Sequence, residues 1–245
     1  MTVGLVAAAA LVASCVQATT GLGFALLLTP VLFAVLPPEP AIVTITISGA
    51  ALNVLVLLAE GRRPRVAWGE VGPILVWAVP GGVCGLLILR GLSKPTLQII
   101  VGVSVIVAAL VRVGSGAAPI SAGSPRGRRV LGFATGALTL STGVNGPPAA
   151  LWLSRRGLGA SELRDSLSAM FLGTAAIAAL TLAPVLHRSD FRPGLLAAAL
   201  GGTVLGHALG SRAFAQLEGR RFDIVLLVVI LAAGVASVVS GAANA

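Results

Sequence analysis

Two short clusters of glycine, hydroxyl and amide residues interrupt long apolar stretches of this sequence, and residues of these types can bind an anion. The second cluster reads STGVNGPP from Ser141 to Pro148, inside an apolar region that begins at Val130. Proline removes a backbone donor and glycine costs backbone entropy, so the cluster predicts a break in a helix. Asn145 before Gly146 and Pro147 predicts a new helix that starts at Pro147 with Asn145 as its N-cap. The free N–H groups and the positive dipole end of such a helix start favour an anion.

A similar cluster, TTGLG from Thr19 to Gly23, interrupts the apolar region 3–36. Gly21 and Gly143 lie 143 − 21 = 122 residues apart, which suggests an internal repeat. One break alone would also fit a kink or close helix packing. Two breaks at corresponding positions favour a binding site in which two helix N-termini meet.

The candidate substrate-binding residues are the polar residues and glycines of the two breaks, together with a glutamine one turn earlier: Gln17, Thr19, Thr20, Gly21, Gly23, Ser141, Thr142, Gly143, Asn145 and Gly146. Two further residues are candidates for gating or coupling. Arg164 can attract anions at the cytoplasmic mouth, although it equally suits the anchoring of a helix. His207 lies inside an apolar span and can carry protons, although it equally suits contact with a neighbouring helix.

The composition indicates a polytopic membrane protein. Hydrophobic residues make up 56% of the 245 residues and charged residues only 10%, which excludes a soluble domain. The net charge of +9 comes from 17 Lys and Arg that lie almost wholly between apolar runs, so they indicate membrane topology rather than nucleic-acid binding. Cys15 and Cys84 lie in apolar surroundings and give no metal or redox spacing.

The apolar regions divide the chain into two similar halves. A glycine pair supports the repeat, since Gly82 and Gly85 recur as Gly202 and Gly206 at offsets of 120 and 121 residues. Each half contains one broken region followed by three spans, at 3–36, 41–59, 71–90 and 96–113, and at 130–154, 165–186, 194–212 and 222–241. We therefore predict a first membrane repeat at 1–113, a polar linker at 114–129 and a second membrane repeat at 130–245.

The distribution of positive charge favours broken regions that return to their starting side. If all eight regions cross, the 17 Lys and Arg divide nine to eight; if both broken regions are re-entrant, they divide 13 to 4. Lys and Arg concentrate in cytoplasmic loops, so the second distribution is preferred. Each half then has an odd number of crossings, which makes the fold an all-α inverted repeat with both termini outside the cytoplasm. Two full crossings in each broken region would give the same parity and stay open as a variant.

Several of these motifs together resemble the TauE/SafE sulfite-exporter family of membrane permeases. The resemblance rests on Gly21, Gly23 and Pro30, the STGVNGPP run, Arg164, and the run GHALGSR from Gly206 to Arg212, which is followed by Arg220, Arg221 and Phe222. It covers nearly the whole chain, including the duplicated build. The resemblance implies transport of sulfite, an organosulfonate or a related small anion.

The sequence thus predicts a multi-pass permease of the cell inner membrane that moves a small anion by alternating access. A passive anion channel and a non-transporting membrane assembly subunit remain alternatives. An enzyme is not expected, because His207 has no nucleophile, base or metal ligand at helical spacing. No cofactor, metal or nucleic acid is expected, and the expected partners are a small anionic substrate, the lipid bilayer and a further copy of the chain.

Overall fold

A computed structural model describes residues 2–21, 23–59, 61–113, 125–184, 192–213 and 220–244. Within these ranges the chain forms ten α-helices and no strand, which confirms the all-α prediction. The helices are α1 (Thr2–Thr20), α2 (Phe24–Val35), α3 (Pro38–Ala59), α4 (Trp68–Gly91), α5 (Lys94–Val113), α6 (Pro125–Ser141), α7 (Gly146–Ser154), α8 (Ala160–Leu182), α9 (Pro193–Ala213) and α10 (Arg220–Ala243).

Four of the described helices are long and apolar enough to cross a membrane. The qualifying segments are Pro38–Leu58, Trp68–Gly91, Ser161–Leu182 and Pro193–Ser211. Shorter apolar segments lie in α1, α2, α5 and α10. The many exposed apolar side chains on these helices, such as Leu87 at 68% and Leu180 at 75% exposure, are consistent with a surface that faces lipid.

Both predicted helix breaks are present, and both use the same backbone geometry. Gly21 and Gly143 have φ values of 73° and 72°, in the left-handed region that glycine adopts without steric cost. The N–H of Gly21 donates to the carbonyl of Gln17 at 2.9 Å, and the N–H of Gly143 donates to that of Thr139 at 3.2 Å. Each glycine therefore closes the last turn of its helix with a left-handed cap.

The unit formed by α6 and α7 returns to the end of the bundle at which it begins. Glu70, in the first turn of α4, contacts Arg128 near the start of α6 at 3.9 Å. The same carboxylate pairs with Arg156, just past the end of α7, at 2.7 Å. The two ends of the broken region thus meet at one carboxylate, so the region forms a helical hairpin that returns to its starting end and not a single interrupted helix.

The end of α2 lies at the opposite end of α4. Glu39, which follows α2 in the first turn of α3, pairs with Arg90 in the last turn of α4 at 2.8 Å. The 24 residues of α4 extend about 36 Å at ~1.5 Å per residue. The helices α2 and α7 therefore run from the middle of the bundle toward its opposite ends.

Glycine allows three helix pairs to touch through their backbones: α1 with α9, α4 with α6, and α5 with α10. A Cβ atom at Gly206 of α9 would clash with the carbonyl oxygen of Leu11 in α1. A Cβ atom at Gly81 of α4 would clash with the carbonyl oxygen of Phe133 in α6. The internal repeat read from the sequence pairs Gly82 with Gly202, but Gly81 makes this backbone contact. Gly82 instead faces the side chains of Leu140 and Ile177.

Candidate functional site

The starts of α2 and α7 meet at a cavity of about 70 Å³. Gly23 and Phe24 line it from the first half, and Asn145 and Gly146 line it from the second. A single water needs roughly 10–15 Å³ of such space, and pockets for drug-sized ligands measure roughly 300–1,000 Å³. The cavity therefore fits an ion of a few heavy atoms or several waters, and excludes a large organic substrate in this conformation.

In the first half, Gln17 holds the start of α2. Its Oε1 accepts the backbone N–H of Phe24 at 3.3 Å. The N-cap residue of α2 is Gly23, which has no side chain that could accept this N–H. Its Nε2 donates to Oδ1 of Asn53 on α3 at 3.2 Å, and Nδ2 of Asn53 donates to the carbonyl of Gly49 at 2.7 Å. These hydrogen bonds fix both amide side chains against the cavity that they line.

In the second half, Asn145 occupies the N-cap position of α7, as predicted, but its side chain forms no capping hydrogen bond. An N-cap side chain accepts the N–H of the second or third helical residue. These residues are Pro147 and Pro148, which have no N–H, so the predicted cap is wrong for a local chemical reason. Asn145 instead donates to Oγ1 of Thr139 at 2.7 Å and to Oγ1 of Thr174 at 3.2 Å.

The two helix starts differ in the backbone donors that they offer. The first amides of a helix have no acceptor within it. In α2 these belong to Phe24, Ala25 and Leu26, all of which line the cavity. In α7 only Gly146 supplies one within the first three residues, because two prolines follow. Sequence reasoning assigned free amides to both starts, and the structure restricts α7 to one.

Four of the polar side chains around the cavity occupy positions that correspond in the predicted internal repeat. Gln17 and Thr139 occupy the last turns of α1 and α6, separated by 139 − 17 = 122 residues. Asn53 and Thr174 occupy the middle of α3 and α8, separated by 174 − 53 = 121 residues. The first half thus contributes two amide side chains where the second contributes two hydroxyls.

Sequence reasoning missed three of these polar residues: Asn53, Thr139 and Thr174. Asn53 and Thr174 lie within continuous helices, away from the glycines and prolines of the breaks, and Thr139 lies two residues before the cluster that begins at Ser141. A usable signal was present for Asn53, which is the one amide side chain in the apolar run 41–59. Polar groups at such depth are costly and usually have a function.

Several predicted binding residues shape the breaks and do not line the cavity. The hydroxyls of Ser141 and Thr142 donate to carbonyls of their own helix, at Ala137 (2.7 Å) and Leu138 (3.0 Å). Thr142 also accepts the N–H of Val144 at 3.2 Å, and Gly21 ends α1. The side chains of Thr19 and Thr20 lie outside the part of the chain that the structure describes.

Arg164 and His207, the candidates for gating or coupling, lie away from the cavity lining. His207 is only 7% exposed, and its Nδ1 has no hydrogen-bond partner in the described structure. The residue after Arg164 anchors α8: Asp165 accepts Arg62 at 2.8 Å and the N–H of Arg65 at 2.7 Å. Among the described residues, His, Cys, Asp and Glu form no group that could hold a metal ion.

We expect Asn145→Ala to weaken anion binding by about 1–2 kcal/mol, or roughly 5- to 30-fold, because two hydrogen bonds that hold the start of α7 are lost. The measurement is the melting temperature of the purified protein against the concentration of small oxyanions, since a ligand of the folded state raises stability. Ser141→Ala is the matched control, because its hydroxyl is bonded to Ala137 and does not line the cavity. Equal weakening in both variants would contradict the assignment of Asn145 to the site.

Comparison with known proteins identifies one family. The family model described as "Sulfite exporter TauE/SafE" matches residues 6–237 of the 245-residue chain, which includes both breaks and every residue that lines the cavity. No curated protein and no solved structure matches the chain.

Proposed function

Because this chain belongs to the TauE/SafE sulfite exporter family, we propose that it is a permease that binds a small anion between the starts of α2 and α7 and moves it across the cell inner membrane. The cavity at these two helix starts is the observation that carries the proposal. Its size suits sulfite, an organosulfonate with a short chain, or a related sulfur oxyanion or carboxylate.

Neutral groups can hold an anion at this position. Among the described residues that line the cavity, none carries a formal charge. The starts of α2 and α7 bring the positive ends of two helix dipoles together, and the amides of Ala25 and Leu26 lie at one of them. Gln17 and Asn53 can supply further donors, because the contacts described above use only one of the two hydrogens on each amide nitrogen. A cation would meet the wrong end of both dipoles.

Alternating access is supported by the way in which the halves interlock. The first helix of each half packs against the fourth helix of the other half: α1 packs against α9, and α6 packs against α4. This reciprocal packing is what two inverted repeats related by a twofold axis would produce. The ion pairs Glu70–Arg156 and Arg62–Asp165 close one end of the bundle and Glu39–Arg90 the other, so we assign these contacts to the two gates.

The proposed topology places the two termini outside the cytoplasm and the loop at Arg155 and Arg156 inside it. We expect single cysteines in that loop and in the linker 114–129, introduced into a variant without Cys15 and Cys84, to be labelled from the same, cytoplasmic side. Impermeant maleimide reagents applied to intact cells and to inverted vesicles provide the measurement. Labelling of the two positions from opposite sides would contradict the inverted arrangement.

Flux in proteoliposomes tests the function itself. We expect saturable, competable uptake of sulfite or a short sulfonate, together with rejection of cations of similar size. Flux that rises linearly with concentration would indicate a channel, and purified protein that neither binds nor moves any anion would indicate an assembly subunit. Robust transport of a cation without anion flux would overturn the proposal, as would chemical conversion of the substrate, since we propose no enzymatic activity.

A further inference from the structure

A second, much larger cavity lies on the outside of the bundle, between α5, α6 and α7. Its volume is about 660 Å³, and its walls are almost entirely apolar. Val107 of α5 and Val130 of α6 line it with 52% and 69% of their side chains exposed. Because these surfaces belong to helices of a membrane protein, the groove opens toward lipid rather than toward water.

The length of the groove matches one leaflet of a bilayer. Along α6 it extends from Arg126 to Leu138, which are twelve residues apart and span about 18 Å at ~1.5 Å per residue. Half of a ~30 Å hydrocarbon core is about 15 Å. A single acyl chain that enters from one face therefore reaches the inner end of the groove.

The outer end of the groove is basic. Arg126 lines it there, at the start of α6, where Arg128 contacts Glu70 and Arg156 lies beside the end of α7. In the proposed topology this is the cytoplasmic end, and the cytoplasmic leaflet carries anionic lipid. A guanidinium at the mouth of an apolar groove is complementary to a lipid phosphate above its acyl chain.

We propose that this groove binds an anionic phospholipid of the cytoplasmic leaflet, with one acyl chain along α6 and its phosphate at Arg126. The inner end of the groove is formed by Val144 and Pro147, which also line the smaller cavity between α2 and α7. The acyl chain thus supports the outer side of the break at which α7 begins. This site is separate from the anion site, and its test does not depend on transport.

The test is binding of phosphatidylglycerol and of phosphatidylcholine to the full-length protein in detergent, measured by native mass spectrometry and by the shift in melting temperature. We expect phosphatidylglycerol to stay bound and to raise the melting temperature, with a smaller effect of phosphatidylcholine. Arg126→Gln should weaken binding of phosphatidylglycerol about fivefold and leave that of phosphatidylcholine unchanged. Ala134→Phe, which fills the groove between its ends, should weaken binding of both lipids.

Arg129→Gln is the matched control, because Arg129 lies on the same helix but stacks over Trp77, 5.5 Å from the ring centroid, and does not line the groove. Equal loss of phosphatidylglycerol binding in the Arg126 and Arg129 variants would overturn the proposal, since it would show a general surface attraction. Equal binding of the two lipids by the unmodified protein would also overturn it. The proposal would also be overturned if the protein forms a dimer that Ala134→Phe dissociates, because a second copy of the chain would then occupy the groove.

Discussion

Gly49→Leu is expected to reduce anion flux to the background of protein-free vesicles while the protein still folds. Gly49 lies on α3 and lines the cavity between the two helix breaks. A Cβ atom there would lie 3.7 Å from the ring of Phe24, which is ordinary contact, so the helix tolerates a side chain. The rest of a leucine side chain would then occupy the ~70 Å³ that the anion needs. Flux in proteoliposomes and the melting temperature measure the two effects separately.

Two control variants separate the effect of filling the cavity from the effect of any added side chain. Gly49→Ala adds only the Cβ atom that the structure accommodates, so its flux should stay close to that of the unmodified protein. Gly201→Leu adds the same bulk on α9, at a glycine with no other atom within 4 Å of the added Cβ. Normal flux in a well-folded Gly49→Leu protein would refute the location of the substrate site.

The local structure of the breaks could be predicted because glycine and proline act through their own backbone. The sequence predicted an interruption at Gly21 and at Gly143, and both adopt the left-handed conformation that ends a helix. The start of α7 was placed one residue late, at Pro147 instead of Gly146, which is within the usual ambiguity of helix ends. The spans were predicted equally well, since 71–90 corresponds to α4 (Trp68–Gly91).

The partners of the polar side chains could not be predicted, because they are set by tertiary packing. Asn145 was interpreted as a cap from its place before a helix, whereas its donors reach Thr139 on α6 and Thr174 on α8. Nothing local to Thr174 indicates that it faces a break 29 residues away. Ser141 and Thr142 show the converse: their neighbourhood suggested binding, but their hydroxyls are taken by their own helix.

Gly206→Ala is expected to destabilise the protein by about 1–3 kcal/mol, the usual cost of overpacking a close-packed contact. The added Cβ atom would clash with the carbonyl oxygen of Leu11, so α1 and α9 must move apart. Backbone atoms cannot rotate away as the end of a flexible side chain can, and the strain must be taken up by the whole helix pair. The melting temperature in detergent and the yield of monodisperse protein provide the measurement.

Gly201→Ala on the same helix is the matched control. Its added Cβ atom meets nothing within 4 Å, and alanine favours a helix over glycine by roughly 1 kcal/mol, so this variant should be neutral or slightly more stable. The pair Gly81→Ala and Gly72→Ala repeats the comparison on α4, where the first would clash with Phe133 and the second meets open space. Similar melting temperatures for Gly206→Ala and Gly201→Ala would show that α1 and α9 do not pack this closely.

The close packing of α1 against α9 also constrains how the chain is made. The helix α1 is synthesised well before α9, yet the glycines that fit it belong to α9, whose first residue, Pro193, is 193 − 2 = 191 positions after Thr2. At about 5–20 residues per second, synthesis of the intervening chain takes roughly 10–40 s. Throughout that interval α1 lies in the bilayer without its main partner, so the first half completes its packing only after α9 has been made.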